Sequence, residues 1–194
     1  VNMKITDWLD ANYKLGVDNY TTDYGTKVTP GSAVKLAWQK GMLSEGVRQY
    51  SYMNSNFMLN FHKTFDEDWD LSFLLGTTAE DTRLKTNSLR AENFAIPNFE
   101  SINNAENSNR YYNQVKTTKR LLGVYGDLRL GYKNFAFVSF TGRNDWSSTL
   151  PLANRSFFYP SVSGSLVFTE LMEPQDFLSY GKLRASWAQV GKDA

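Results

Sequence analysis

Apolar and polar residues alternate with a period of two along nearly the whole chain, and this pattern narrows what the sequence can fold into more than any other. Successive side chains of a strand point to opposite faces, so strict alternation fits a sheet with one apolar face and conflicts with helix spacing. Leu122, Val124, Leu128 and Leu130 fall on one side, with Tyr125, Asp127 and Arg129 on the other. Next, Ala136, Val138 and Phe140 alternate with Ser139, Thr141 and Arg143. Phe158, Val162, Leu166 and Phe168 oppose Ser161, Ser163 and Ser165, and Leu183, Ala185 and Trp187 oppose Lys182, Arg184 and Ser186. In the first half, Met53, Phe57, Leu59 and Phe61 oppose Asn54, Asn56, Asn60 and His62, and Trp69, Leu71, Phe73 and Leu75 oppose Asp70, Ser72, Gly76 and Thr78. An opening segment from Met3 to Leu15 is weaker, because Asp7 interrupts its apolar face. The count is about seven strands, several long enough for the ~9–11 residues that cross a bilayer at a tilt.

The connections alternate as well. Short turns are expected at Asp66-Glu67-Asp68, at Gly131-Tyr132-Lys133-Asn134 and around 170–179, with long polar loops at 20–46, 84–116 and 146–156. Long structureless loops are uncommon in compact soluble domains, whereas transmembrane barrels pair short turns at one rim with long loops at the other. Phe94, Phe99, Tyr111 and Tyr112 lie among the Asn and Ser residues of 84–116, which suits a loop that contacts a ligand or partner. Rings also gather near the expected strand ends, at Tyr50, Tyr52, Phe65, Trp69, Tyr132, Phe135, Trp146, Phe157, Phe158 and Tyr159. Girdles of this kind suit a lipid–water boundary.

Composition removes several classes. Lys+Arg is 21 against Asp+Glu 20, which leaves no basic surplus for nucleic acid. No run approaches the ~18 apolar residues of a spanning helix. Cysteine is absent, so disulfides, thiolate metal sites and cysteine nucleophiles are all excluded. His62 is the only histidine. No cofactor or metal site is expected. Asp66-Glu67-Asp68-x-Asp70 lacks the loop and terminal glutamate of a calcium site and reads as a solvated turn. The sequence begins at Val1 without a signal peptide and stops just past a strand-like run, which suggests an interior piece of a longer chain.

Three blocks then carry a family resemblance. Ser139-Phe140-Thr141-Gly142-Arg143-Asn144-Asp145-Trp146-Ser147-Ser148-Thr149-Leu150-Pro151 resembles the barrel of SusC/RagA-family TonB-linked outer-membrane transporters, where a strand runs into an Arg-x-Asp-x-Ser-Ser loop. Asn154-Arg155-Ser156-Phe157-Phe158-Tyr159-Pro160-Ser161-Val162-Ser163 resembles the next strand. Tyr180-Gly181-Lys182-Leu183-Arg184-Ala185-Ser186-Trp187-Ala188-Gln189-Val190-Gly191 resembles a later one. The resemblance is strong over 121–191 and looser over 50–82.

It implies an all-β antiparallel segment of a large transmembrane β-barrel, with residues 1–194 forming roughly a third of about 22 strands. The plug domain, the TonB box and the remaining strands would lie elsewhere. It also implies residence in the cell outer membrane, with its lipid around the barrel, and import of an oligosaccharide or peptide. A SusD-like surface lipoprotein and the TonB complex would be partners. Two other fold-function readings stay open. One is a soluble all-β carbohydrate- or protein-binding module, whose apolar faces would pack on each other. The other is an outer-membrane enzyme using a serine and His62.

Arg143 and Asp145 share a face two residues apart and could touch substrate near the outer rim. An internal network holding 146–156 to the wall explains them better, since charged residues facing a barrel interior pair with neighbours. Asp127 with Arg129, and Lys182 with Arg184, read the same way. Ser147, Ser148 and Arg184 complete the family-motif positions and are read as structural. Asn54, Asn56, Asn60 and His62 form a candidate lumen-facing row, and a one-residue slip would reverse their face. Gly123-x-x-Gly126 reads as relief for barrel curvature, not a phosphate loop. Asn19-Tyr20-Thr21 and Asn154-Arg155-Ser156 match a glycosylation pattern that carries little meaning in a bacterial protein.

Overall fold

The computed structural model describes residues 1–32, 35–66, 68–151, 155–172 and 177–190. It contains eight strands: β1 (Asn2–Thr6), β2 (Leu9–Val28), β3 (Met42–Phe65), β4 (Trp69–Glu92), β5 (Arg110–Tyr132), β6 (Ala136–Ser147), β7 (Ser156–Val167) and β8 (Lys182–Ala188). They form one sheet in sequence order, β1-β2-β3-β4-β5-β6-β7-β8. Among the described residues the only helical elements are short 3₁₀ turns. The expected all-β antiparallel fold is therefore present.

The strand count rises to eight because the opening segment folds back on itself. Met3 pairs with Ala11 and Lys4 with Asp10. Asp7 breaks no apolar face; it sits in the turn, ion-paired to Lys4 at 2.7 Å, while Thr6 Oγ1 accepts from the Trp8 N–H.

The loops are shorter than the sequence suggested. β2 to β3 is joined by 29–41, β4 to β5 by 93–109 and β6 to β7 by 148–155. Strands continue past the point where alternation of polarity ends, because polar residues occupy both of their faces there. The connection from β7 to β8 is also no tight turn. Phe168, placed by alternation on a strand face, instead opens the 3₁₀ turn Phe168–Leu171, and Thr169 Oγ1 accepts from the Gly181 N–H. Residues 173–176 of that expected turn, Glu67 of the acidic turn, Asn154 of the glycosylation pattern and Gly191 of the last family-like block lie outside the described residues.

The chain divides into two compact units. The first is Val1–Gly16, Asn54–Glu80 and Lys119–Ala194, and the second is Val17–Met53 and Asp81–Thr118. In the first unit the register fixes the faces. Leu122 lies opposite Trp146, Leu128 opposite Phe140 and Leu130 opposite Val138. Phe140 then faces Val162, and Val162 faces Trp187. The apolar side chains thus line up across four strands, in agreement with the sequence pattern. They are also bare: Phe140 is 48% exposed, Phe158 61% and Leu183 64%. A sandwich would cover such a face, and no layer covers it among the described residues.

Rings collect where these strands turn. Trp8 stacks on Phe61 at 6.0 Å, Phe61 meets Phe73 at 5.8 Å, and Trp69 packs on Tyr132 at 4.6 Å. The β5–β6 hairpin closes through Lys133 and Asn134, both with positive φ (46° and 59°). Those values belong to a type I′ turn closed by the Phe135 N–H on the Tyr132 carbonyl, and Phe135 is one residue more than a two-residue hairpin holds, since Tyr132 pairs with Ala136.

The second unit has a small core of Ala91, Phe94 and Ala105, against which Leu43 and Ile102 pack. Phe94 is therefore a core residue and not a contact ring. Buried Asn104 accepts from the Ile96 N–H and donates to the carbonyls of Ile96 and Phe99, and the Arg110 guanidinium donates to those of Ala105 and Asn103. These bonds satisfy backbone groups that a loop would otherwise leave to water.

Candidate functional site

The first unit's other face is polar, and its side chains are organised. Nε of Arg143 donates to both carboxylate oxygens of Asp145 at 2.8 and 2.9 Å, and the guanidinium lies 5.4 Å from the Tyr125 ring centroid. Asp145 is buried. Two glycines make room for this cluster. A Cβ on Gly123 would stand 2.4 Å from Oδ1 of Asp145 and 2.9 Å from Cγ2 of Thr78, and one on Gly76 would stand 2.3 Å from Cζ of Tyr125. Gly123 is thus needed for space, whereas Gly126 meets nothing nearer than 3.7 Å. Pairing a strand glycine with a neighbouring aromatic ring is a known way to hold sheet register. The Arg143–Asp145 pair is legible in the sequence; the packing of Tyr125, Gly76 and Gly123 around it is not, and glycines inside strand patterns are the only signal of that part.

The two serines of the motif join the strand end to its surroundings. Ser148 donates its N–H to the carbonyl of Arg120, and its hydroxyl accepts from the Arg120 N–H at 2.8 Å. Buried Ser147 donates its N–H to the carbonyl of Arg155, and its hydroxyl lies 2.7 Å from that of Thr149. Asp127 and Arg129 form a second ion pair at 2.6 Å. Lys182 and Arg184 differ from that pattern: Lys182 lies over the Phe137 ring at 5.0 Å, and Arg184 is exposed without an ion-pair partner among the described residues.

The amide row sits apart from Arg143 in the hydrogen-bond pattern. Asn54 donates to Glu80 at 3.3 Å and Asn56 donates to Asn54. Asn60 borders a hollow shared with Asp10 and Asn12. Nδ1 of His62 lies 3.8 Å from Asp10. A groove of about 660 Å³ runs over this face, lined by His62, Asp70, Arg129, Phe137, Ser139, Ser163, Lys182, Arg184 and Ser186. Ser139 and Ser163 hydrogen-bond each other at 2.7 Å, and among the described residues no serine bonds His62. Also among the described residues, no cluster of His, Asp or Glu is grouped to hold a metal. The arrangement is a hydroxyl- and ion-lined wall suited to wetting or contacting a polar solute.

No family model matches the sequence. Over 147 residues, 73% of this chain and 15% of the relative, it is 24% identical to TonB-dependent receptor P26 of Formosa agariphila. Over its full length, and 19% of that protein, it is 24% identical to TonB-dependent receptor P39 of the same organism. The chain therefore spans less than a fifth of the length of these curated relatives. In fold it matches the RagAB peptide transporter with a TM-score of 0.86 and 18% identity over 96% of this chain and 21% of that one. It matches the RagAB peptide importer in the 'closed-closed' and 'open-open' states with the same TM-score of 0.85. These likenesses join the bare apolar face, the ring-lined turns and the ordered polar face: the chain has the fold of a barrel segment of the RagAB transporter and is similar in sequence to TonB-dependent receptors.

Proposed function

We propose that this chain forms part of the wall of an outer-membrane, TonB-dependent transporter that imports a bulky nutrient, an oligosaccharide or a peptide. The observation that carries this most directly is the first unit's pair of opposed faces. One is apolar, uncovered and bounded by rings at its turns, as lipid contact demands; the other is ion-paired and hydroxyl-lined, as a wet interior demands. The receptor names of the two relatives support the transport class. The plug domain, the TonB-contacting region and the remaining strands would come from sequence beyond this segment. A SusD-like surface lipoprotein is the proposed partner, by analogy with the two-component RagAB assembly.

In this wall Arg143, Asp145, Ser147 and Ser148 hold strand ends and the 148–155 connection in place, and contact substrate little. Asn54, Asn56, Asn60, His62 and Arg184 face the lumen. The mechanism is passage and gating, with no covalent step. Membrane fractionation with an antibody against 84–116 tests the proposal. The expected result is an outer-membrane band several times larger than 22.2 kDa, with heat-dependent mobility, whose deletion abolishes uptake of one nutrient class. A soluble band near 22.2 kDa would overturn it.

A further inference from the structure

At one side of the first unit's groove, the register of β7 on β8 fixes its lining residue by residue. Ser165 lies opposite Arg184, Ser163 opposite Ser186 and Val167 opposite Lys182. Lys182, Arg184 and Ser186 alternate along β8 and so stand in one row, and all three line the groove with Ser165. Neighbours in that row are about 7 Å apart, and residues directly opposite are about 5 Å apart at Cβ. Among the described residues Lys182 and Arg184 make no ion pair, and the hydroxyls of Ser165 and Ser186 make no hydrogen bond. The other polar groups of the groove are matched. Arg129 pairs with Asp127 at 2.6 Å, Ser139 bonds Ser163 at 2.7 Å, and Asp70 accepts from Thr64 at 2.8 Å. The Asp70 carboxylate is also distant. Its Cβ lies 3.6 Å from where a Cβ on Gly131 would stand, and Gly131, Phe137, Ser165 and Arg184 follow one another strand by strand. Four strand spacings, roughly 19 Å along the sheet, separate Asp70 from Arg184.

We infer that Lys182, Arg184, Ser165 and Ser186 form a binding site for the phosphate group of a phosphate monoester. Such a group carries close to two negative charges at neutral pH and three strong acceptor oxygens. The two unmatched cations balance that charge. A planar guanidinium meets two of the oxygens through parallel N–H donors, and the ammonium and the serine hydroxyls donate to what remains. A carboxylate or a sulfate ester brings one charge and leaves the second cation unmatched. The Phe137 ring lies 5.0 Å from the Lys182 ammonium, which holds that side chain toward the groove without neutralising it. A membrane lipid is the poorer source of the phosphate. Its acyl chains belong on the apolar side, to which Leu183, Ala185 and Trp187 turn from the alternate positions of β8. The inference rests on the transport assignment for the route by which a solute reaches this face, and it deepens that assignment by giving the solute a phosphate group.

The test uses the full-length protein purified in detergent, so that whatever lies beside β8 is in place, with affinities from calorimetry at fixed ionic strength. The probes are methyl phosphate, methyl sulfate and acetate. Methyl phosphate should bind about tenfold or more tightly than either of the others. Arg184→Gln should weaken it about tenfold, Arg184→Lys should keep part of the affinity, and Ser165→Ala should cost a few-fold. Lys85→Gln, which removes the same charge from the second unit, should change nothing. Equal or tighter binding of methyl sulfate or acetate, an unchanged Arg184→Gln protein, an equal loss in Lys85→Gln, or binding of none of the probes would overturn the inference. Uptake by cells is measured separately. Failure of methyl phosphate to bind a protein whose deletion abolishes uptake sinks the phosphate site alone. Binding by a protein whose deletion abolishes uptake of no nutrient sinks the transport assignment and leaves the site standing.

Discussion

The two units are built from the same long strands, but they use the period of two differently. In the first, β5 sends Leu122, Val124, Leu128 and Leu130 to one face and Tyr125, Asp127 and Arg129 to the other. In the second, residues 81–92 of β4 carry Asp81, Arg83, Lys85 and Asn87 on one face and Thr82, Thr86, Ser88 and Arg90 on the other. Here both faces are paired for water. Arg83 holds Asp81 at 2.6 Å, Gln114 donates to Asn87 at 2.7 Å, and Arg90 caps the Tyr111 ring. Strand hydrogen bonding is indifferent to what surrounds it; the side chains decide whether a face meets lipid or water. A strand can therefore outlast the pattern that announces it.

The sharpest way to break this contrast is to put a charge on each unit. Phe140→Arg places a cation in the apolar rows and should cost about 2–4 kcal/mol in urea unfolding of the full-length protein from lipid vesicles. Leu89→Arg, on a water-paired face of the second unit, should stay within about 0.5 kcal/mol. Equal costs would mean that the two units meet the same solvent.

A second pair of substitutions probes the packed polar cluster. Gly123→Ala drives a methyl into Asp145 and should cost about 1–3 kcal/mol in the same assay. Gly126→Ala, with open space around it, should be nearly silent. If both are silent, the Arg143–Asp145 cluster yields to a methyl and is no fixed joint. In the second unit the corresponding lever is Asn104→Ala, which strips three backbone partners from 93–109. About 1–2 kcal/mol of local protection should vanish from the Ile96 amide, read by hydrogen exchange, while exchange in β5 and β6 stays unchanged.

The same contrast explains what could be read in advance. The faces of β3 to β8 in the first unit were legible because a bare apolar face is built from continuous rows of apolar side chains, and Leu128, Phe140 and Val162 supply them. The ends of β2, β4 and β5 were not, because Asp81, Arg83 and Asn87 look like a loop to any pattern that expects one dry face. Asp7 misled for the opposite reason: a turn of two residues is shorter than the window in which alternation is judged. Arg143 and Asp145 were visible as a pair on one face. Gly76, Gly123 and Tyr125 were not, since contacts between strands depend on register, which period alone leaves undetermined.

The smallest expected effect belongs to the first unit's hairpin turn, outside the apolar rows. The Lys133 ammonium is held above the ordinary lysine range, first by its hydrogen bond with Tyr132 and then by Asp68, whose carboxylate lies 3.4 Å away. A cation whose folded value is raised stabilises the fold fully below its unfolded value, and that contribution disappears as pH rises through the folded one. Neutral and mildly alkaline solutions should therefore show no change, with the loss confined to the region above the usual lysine range of about 10.4. Asp68→Asn should lower stability slightly at pH 8 and flatten the alkaline decline, and no comparable decline should follow Lys85→Gln in the second unit. Because Lys133 is solvent-bathed, the difference will be at the edge of detection in urea titrations and is better read from the amide exchange of Phe135, which closes the hairpin onto Tyr132. A decline already under way at pH 8 would assign it to another group and leave the turn without an electrostatic role.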